Sequence, residues 1–251
     1  TKNPEEKPYF LTNQSAGSFN TFKHSFEAGT GKFLNNLLSV SARYSIINSD
    51  GYIDRAFSKL NSYNINALFE KGNTKLRFLT FGGKEKTYQA WNGIDKATYE
   101  SNPKFNYSGA IYDANWENII GFYDNETDNY RQNHYHLLWE QKLGKIWNIE
   151  TTFHLTHGEG YYENYKQDAK FSKYDLPNIV ENGNTITRTD FIRKKWLDND
   201  FYGVVSNLYG NFENLNLNFG VAANQYFGRH FGNVSGVKYT DIFEHEYYRN
   251  N

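Results

Sequence analysis

Apolar and polar side chains alternate along most of this chain. In the stretch NNLLSVSARYSII, residues 35–47, Leu38, Val40, Ala42, Tyr44 and Ile46 are apolar or aromatic, while Ser39, Ser41, Arg43 and Ser45 are polar. A period of two is that of a β-strand with one oily and one wet face. The pattern recurs at Phe22–His24–Phe26–Ala28, at Tyr63–Ile65–Ala67–Phe69 and at Tyr135–Leu137–Trp139. It returns at Trp147–Ile149–Thr151–Phe153–Leu155 and at Leu215–Leu217–Phe219–Val221–Ala223. With weaker stretches near residues 8–15, 75–82 and 200–212, this predicts about nine strands of roughly ten residues, the length that crosses a bilayer at a tilt.

The connections carry a second pattern. Residues 70–75, 142–146 and 211–215 read as tight turns, and 48–58, 83–131 and 158–199 as long loops. From the second strand onward short and long connections alternate. The first connection, GSFNT at 17–21, is short on the long-loop side. A soluble sandwich has no reason to gather its long loops at one end, whereas an outer-membrane barrel has short periplasmic turns and long extracellular loops. The wet faces agree. They carry Asn, Ser, Thr, His and scattered charge rather than the Lys and Glu of a sandwich exterior. The expected fold is therefore all-β, an antiparallel meander forming part of a transmembrane barrel.

Composition narrows the chemistry. The chain has 251 residues, no cysteine and a net charge of −1, so disulfides and zinc–thiolate sites are excluded and nothing points to nucleic acid. There is also no methionine, as expected of a processed chain or a piece of a longer one. No stretch resembles a signal peptide or a membrane helix. A mean hydropathy of −0.80 is compatible with a barrel, whose lumen and loops are polar. The stock of 21 Tyr and 20 Phe suits aromatic girdles at the two membrane interfaces, or stacking platforms for a ligand.

Four segments carry a family resemblance: GSFNT (17–21), SDGYIDR (49–55), FGGKEKTYQAWNGID (81–95) and ITRTDFIRKKWLDNDFYG (186–203). They resemble the barrel of TonB-dependent outer-membrane receptors of the Bacteroidetes type. The resemblance covers essentially the whole chain. It implies a barrel of roughly 22 strands around an N-terminal plug, with residues 1–251 forming only the first part of the barrel. The plug, the TonB box and the C-terminal strands would lie outside this sequence. It also implies residence in the bacterial outer membrane with lipid as a partner, and contact with the TonB complex through the missing plug. The cargo would be a scarce, bulky nutrient, a metal chelate such as a ferric siderophore, haem or a cobalamin-like molecule. Alternatives are a glycan importer, a passive porin and a soluble carbohydrate-binding sandwich.

The candidate ligand residues sit in the two longest loops. Ten rings lie between Tyr88 and Tyr130, among them Trp91, Trp116 and Tyr123. They either capture ligand, since rings give large contact area at low entropy cost, or pack the loop onto its neighbours. In TRTDFIRKK, Arg188, Arg193, Lys194 and Lys195 offer guanidinium and ammonium groups for an anionic chelate or a lipopolysaccharide phosphate. Their competing role is an ion-pair network with Asp190, Asp198 and Asp200. DNETD (124–128) has hard oxygen ligands but lacks calcium-loop spacing, and reads as a solvated loop tip. His134, His136 and His154 share the wet side, where hydrogen bonding is the plain account. GTGK (29–32) lacks the spacing of a phosphate loop and reads as a turn. No catalytic constellation is present, so neither an enzyme nor a cofactor is expected.

Overall fold

The computed structural model describes residues 3–250. In chain order the strands are β1 (Pro8–Gly17), β2 (Thr21–Phe33), β3 (Leu38–Ser49), β4 (Ser58–Lys71), β5 (Thr74–Tyr88), the short β6 (Ala110–Tyr112) and β7 (Ile119–Phe122), and β8 (Thr127–Leu143). They continue with β9 (Trp147–Lys170), the short β10 (Ile179–Glu181) and β11 (Asn184–Ile186), β12 (Arg188–Asn211), β13 (Asn216–Gly236) and β14 (His245–Asn250). Ten of them form one antiparallel sheet in the order β1-β2-β3-β4-β5-β8-β9-β12-β13-β14. The β6–β7 and β10–β11 hairpins and the helix α1 (Lys96–Ser101) decorate the long connections between sheet strands. This is the expected meander, with ten strands where the alternation showed about nine. The tenth, β14, is too short to show a period in the sequence.

Cross-strand register proves the two faces. Val40 stands opposite Ala67, Ala67 opposite Phe78, Phe78 opposite Leu137, Leu137 opposite Phe153 and Phe153 opposite Val204. Residues directly opposite one another share a face, so this apolar row crosses six strands. Leu38, Tyr44, Leu217 and Phe219 belong to the same face by the period of two. Nothing among the described residues covers it: Phe153 is 50% exposed and Phe219 58%. No second sheet packs on it among the described residues, which removes the sandwich. The other face is polar. Its central row runs Ser41, Asn66, Leu79, His136, His154, Gly203 and Asn224.

Turns 34–37, 72–73, 144–146 and 212–215 lie at one end of the sheet, and 18–20, 50–57, 89–126, 171–187 and 237–244 at the other. The tightest, 72–73, depends on Gly72, whose φ of 58° is in the left-handed region that suits a residue without Cβ. The long connections are shorter than expected because β8, β9 and β12 run on beyond the regular alternation. Glycines at 158 and 160 and charged outward positions hide these strand ends. Tyr130, Arg193, Lys194 and Lys195 are consequently strand residues, not loop residues.

The main buried apolar cluster sits at the long-loop end, not beneath the sheet. Phe171, Tyr174, Phe191 and Val234 are almost fully buried. Ile179, Ile186, Tyr239, Ile242 and Tyr247 pack around them. This cluster fastens the 171–187 and 237–244 connections to β12 and β13.

Candidate functional site

The site forms where β9 outruns β8. β8 begins at Thr127 and pairs with β9 only as far as Tyr162, whereas β9 continues to Lys170. The remaining edge of β9 has unpaired backbone groups on that side, which require partners. Connection 89–126 supplies them. Tyr165 donates its N–H to Glu126 Oε2 at 2.8 Å, and Gln89 Nε2 donates to the Glu163 carbonyl at 3.0 Å. The Gln167 side chain clasps the Tyr112 backbone, accepting from its N–H at 2.8 Å and donating to its carbonyl at 2.7 Å.

Buried polar groups lock this seam. Asn164 Nδ2 donates to both Gln89 Oε1 (2.9 Å) and Glu126 Oε1 (2.8 Å). Asn106 Nδ2 donates to the Gln89 carbonyl (2.9 Å). Glu163 accepts from the Tyr123 hydroxyl and from Asn125 Nδ2, each at 2.5 Å. Burial pushes the Glu126 carboxyl above the usual carboxylate range, opposed by its bonds from Tyr165 and Asn164. The Tyr123 phenol is pushed well above its ordinary value by burial and by its bond to the Glu163 carboxylate. DNETD is thus not a solvated tip: Glu126 and Thr127 are buried because they cap a strand edge. Its acids do not converge on a common point for a cation.

The sequence candidates separate into anchors and exposed groups. Tyr88 is an anchor, buried, with its hydroxyl donating to the carbonyls of Ser108 (3.0 Å) and Tyr123 (2.8 Å). Tyr123 is another. Trp91 is exposed and meets the Tyr162 ring edge-on, with centroids 5.7 Å apart. The same ring lies 5.9 Å from the Arg193 guanidinium and 6.0 Å from the Lys195 ammonium. Tyr162, Arg193 and Lys195 share the polar face by register, with Lys166 one step further along β9. Trp116, stacked on Tyr112, and Arg188 line a second hollow of about 480 Å³ together with Lys166 and Lys173. Lys166 therefore connects the two places.

The ion pairs differ from the expected network. Arg188 Nε pairs with Asp168 at 2.8 Å rather than with Asp190, and Lys194 with Glu244 at 3.5 Å. Asp190 instead accepts from the Tyr165 hydroxyl and the Asp168 N–H. Asp198 pairs with Arg229 at 2.6 Å, and Asp200 with His157 at 2.8 Å. Among the described residues no ion pair takes Arg193, Lys195 or Lys166. Arg193 donates to the neutral amide oxygen of Asn164 at 2.6 Å, and its Nε is buried without an acceptor. Arg193 and Lys195 beside the Tyr162 ring, with Trp91 against that ring, make a surface suited to an anion with flat organic parts, and the nearby Glu126 carboxylate offsets part of the charge of Arg193 and Lys166.

Sequence reasoning missed Tyr162, Lys166 and Lys173, which lie in what it took for a loop. No apolar–polar alternation marks the strand there, because Tyr161 and Tyr165 lie on one face with Glu163 between them and Tyr162 lies on the other. His134, His136 and His154 do share the polar face. His134 bonds Thr156 at 2.9 Å and His154 bonds Asn224 at 2.8 Å. A further group, His157, Asp198 and Asp200, brings its ligating atoms within 4.8 Å on the opposite face, but these groups already hold one another and Arg229.

No protein-family model matches the chain, and no curated protein matches it in sequence. Solved structures match it in fold. The siderophore receptor PiuA from Acinetobacter baumannii superposes with a TM-score of 0.60 at 13% identity, over 96% of this chain and 34% of that one. FpvA of P. aeruginosa, bound to a heterologous pyoverdine and iron, gives 0.59 at 10% identity, over 100% and 33%. The ferric-catecholate import receptor Fiu from E. coli K12 gives 0.55 at 12%, over 100% and 35%. The chain spans about a third of the length of the structures it matches. At this identity the likeness is one of fold: the chain's antiparallel sheet is similar to about a third of these siderophore-receptor structures.

Proposed function

We propose that this chain is the first part of the barrel of an outer-membrane receptor that captures a ferric chelate for TonB-energised uptake. The plug and the remaining strands would lie outside residues 1–251, in keeping with the one-third coverage of the matched structures. The uncovered apolar face meets lipid, the polar face lines the lumen, and the long connections face outward. The fold of the siderophore receptors supports iron as the cargo class. One observation carries the binding reading: among the described residues no ion pair takes Arg193 or Lys195, and both stand on the luminal side of the long-loop end against the Tyr162 ring, on which Trp91 packs.

In this arrangement the rings cover the flat organic surface of the chelate and the cations meet its charge. Arg188 and Trp116 extend the surface across the second hollow. Tyr88 and Tyr123 act through packing, holding connection 89–126 in place. The test is the affinity of the full-length receptor for a ferric catecholate and a ferric hydroxamate. Trp91→Ala and Arg193→Ala are each expected to cost about 2 kcal/mol, roughly thirtyfold in Kd. Lys104→Ala, on an exposed loop, is expected to cost far less. Wild-type affinity in both variants moves the capture site elsewhere. Binding of oligosaccharide and of neither chelate replaces the iron reading by a glycan importer.

A further inference from the structure

On the apolar face, the character of β4, β5 and β8 changes towards the long-loop end. Lys59 of β4 stands directly opposite Lys86 of β5, and Lys84 of β5 stands directly opposite Arg131 of β8. By the period of two, all four share the face that carries Ile65, Thr80 and Tyr135 a few residues nearer the turns. Like charges directly opposite one another are unfavourable in an antiparallel pair. Here two such pairs adjoin and make a grid of four cations.

The protein itself does little to neutralise that grid. Arg131 lies 3.0 Å from Glu159. Among the described residues no ion pair takes Lys59, Lys84 or Lys86. Lys86 donates to the neutral amide oxygen of Asn125 at 2.6 Å, and Lys59 lies 5.3 Å from the Phe57 ring. The neighbouring strands behave differently: Asp198 is held by Arg229, and Asp200 by His157. Beside the grid is a hollow of about 250 Å³ whose lining includes Lys84, Arg131, Tyr161, Trp196 and the Glu159 carboxylate that pairs with Arg131. The Trp196 indole N–H is buried without an acceptor.

We propose that this grid binds the phosphates of a negatively charged lipid headgroup in the leaflet on the long-loop side. The position selects the class of ligand. Below the cations on the same face come Asn61, Gly82 and Asn133, then Tyr63, Thr80 and Tyr135, and then the apolar Ile65, Phe78 and Leu137, so a matching molecule is anionic at one end and apolar at the other. Acyl chains lie along Ile65, Phe78 and Leu137, and phosphate oxygens accept from Lys84, Arg131 and Lys59. Two adjacent cation pairs fit a headgroup with two phosphates better than one. The proposal rests on the membrane placement of the apolar face.

The test uses the full-length protein in phosphatidylcholine nanodiscs doped with diphosphorylated lipid A or its monophosphorylated form, with bound lipid read by native mass spectrometry. The wild type is expected to retain the diphosphorylated form preferentially. A basic residue near an anionic membrane surface contributes about 1 kcal/mol, roughly fivefold. Lys84→Ala should therefore lower retention about fivefold, and adding Lys59→Ala should lower it about fivefold again. Lys84→Arg should preserve it, and Lys145→Ala, in a turn at the opposite end, should leave it unchanged. Insertion into the bilayer without preference, or a double variant that matches the wild type, overturns the lipid site alone. Failure of the wild type to insert overturns the membrane placement and the lipid site with it.

Discussion

Glu126→Gln tests how connection 89–126 is held. The native carboxylate is buried and offers two oxygens to two donors, Asn164 Nδ2 and the Tyr165 N–H, each at 2.8 Å. A glutamine of the same shape has one acceptor oxygen and one NH2. Whichever way it turns, one native N–H faces another N–H. A buried donor left unsatisfied costs about 1–3 kcal/mol. Part of this is recovered, because the substitution also removes the desolvation of a buried charge, the effect that raises the native carboxyl. The net expectation is about 1–2 kcal/mol at neutral pH, a rise of roughly five- to thirtyfold in local opening. Hydrogen-exchange protection factors at residues 122–127 and at Tyr165, measured on the full-length receptor in detergent, read this directly.

The pH dependence gives an independent check. Because the folded-state carboxyl lies above its ordinary value of 4.5, the folded state binds the proton more tightly than the open state. Attachment of the connection therefore strengthens as pH falls from the raised value towards 4.5, and weakens as pH rises through that window. A protonated carboxyl still presents two oxygens, so both donors keep a partner. The Gln variant has no such trend. Equal protection in wild type and variant, or a wild type whose attachment loosens on mild acidification, refutes the capping role of Glu126.

Two further substitutions test other parts of the structure. Phe153→Arg, on the uncovered apolar face, is expected to cost about 2–4 kcal/mol in urea titrations of the receptor in lipid, and His154→Arg on the adjacent polar face much less; equal costs would contradict the assignment of the faces. Phe191→Ala empties the centre of the Phe171–Tyr174–Val234 cluster and is expected to cost about 3–5 kcal/mol, seen as new protease cleavage in residues 171–187; an unchanged digest would mean that other contacts hold that connection.

What the sequence by itself determined was local and periodic. Side-chain direction in a strand repeats every two residues, so the faces of Val40, Phe153 and Phe219 follow from the letters alone. The tight turns followed from their short spans, and the strand meander from their alternation with long connections. What only the tertiary structure decided depends on where one strand stops relative to its neighbour. DNETD looks solvated until β8 is seen to end at Thr127 while β9 runs on to Lys170, leaving an edge that Glu126 must cap. Tyr88 and Trp91, three residues apart, look alike as loop aromatics. Yet Tyr88 falls inside the seam and Trp91 outside it, against Tyr162. The cation grid was equally hidden. Lys59, Lys84, Lys86 and Arg131 are spread over three strands, and only the register of β4, β5 and β8 sets them opposite one another, because pairing across a sheet joins residues whose separation in sequence carries no period.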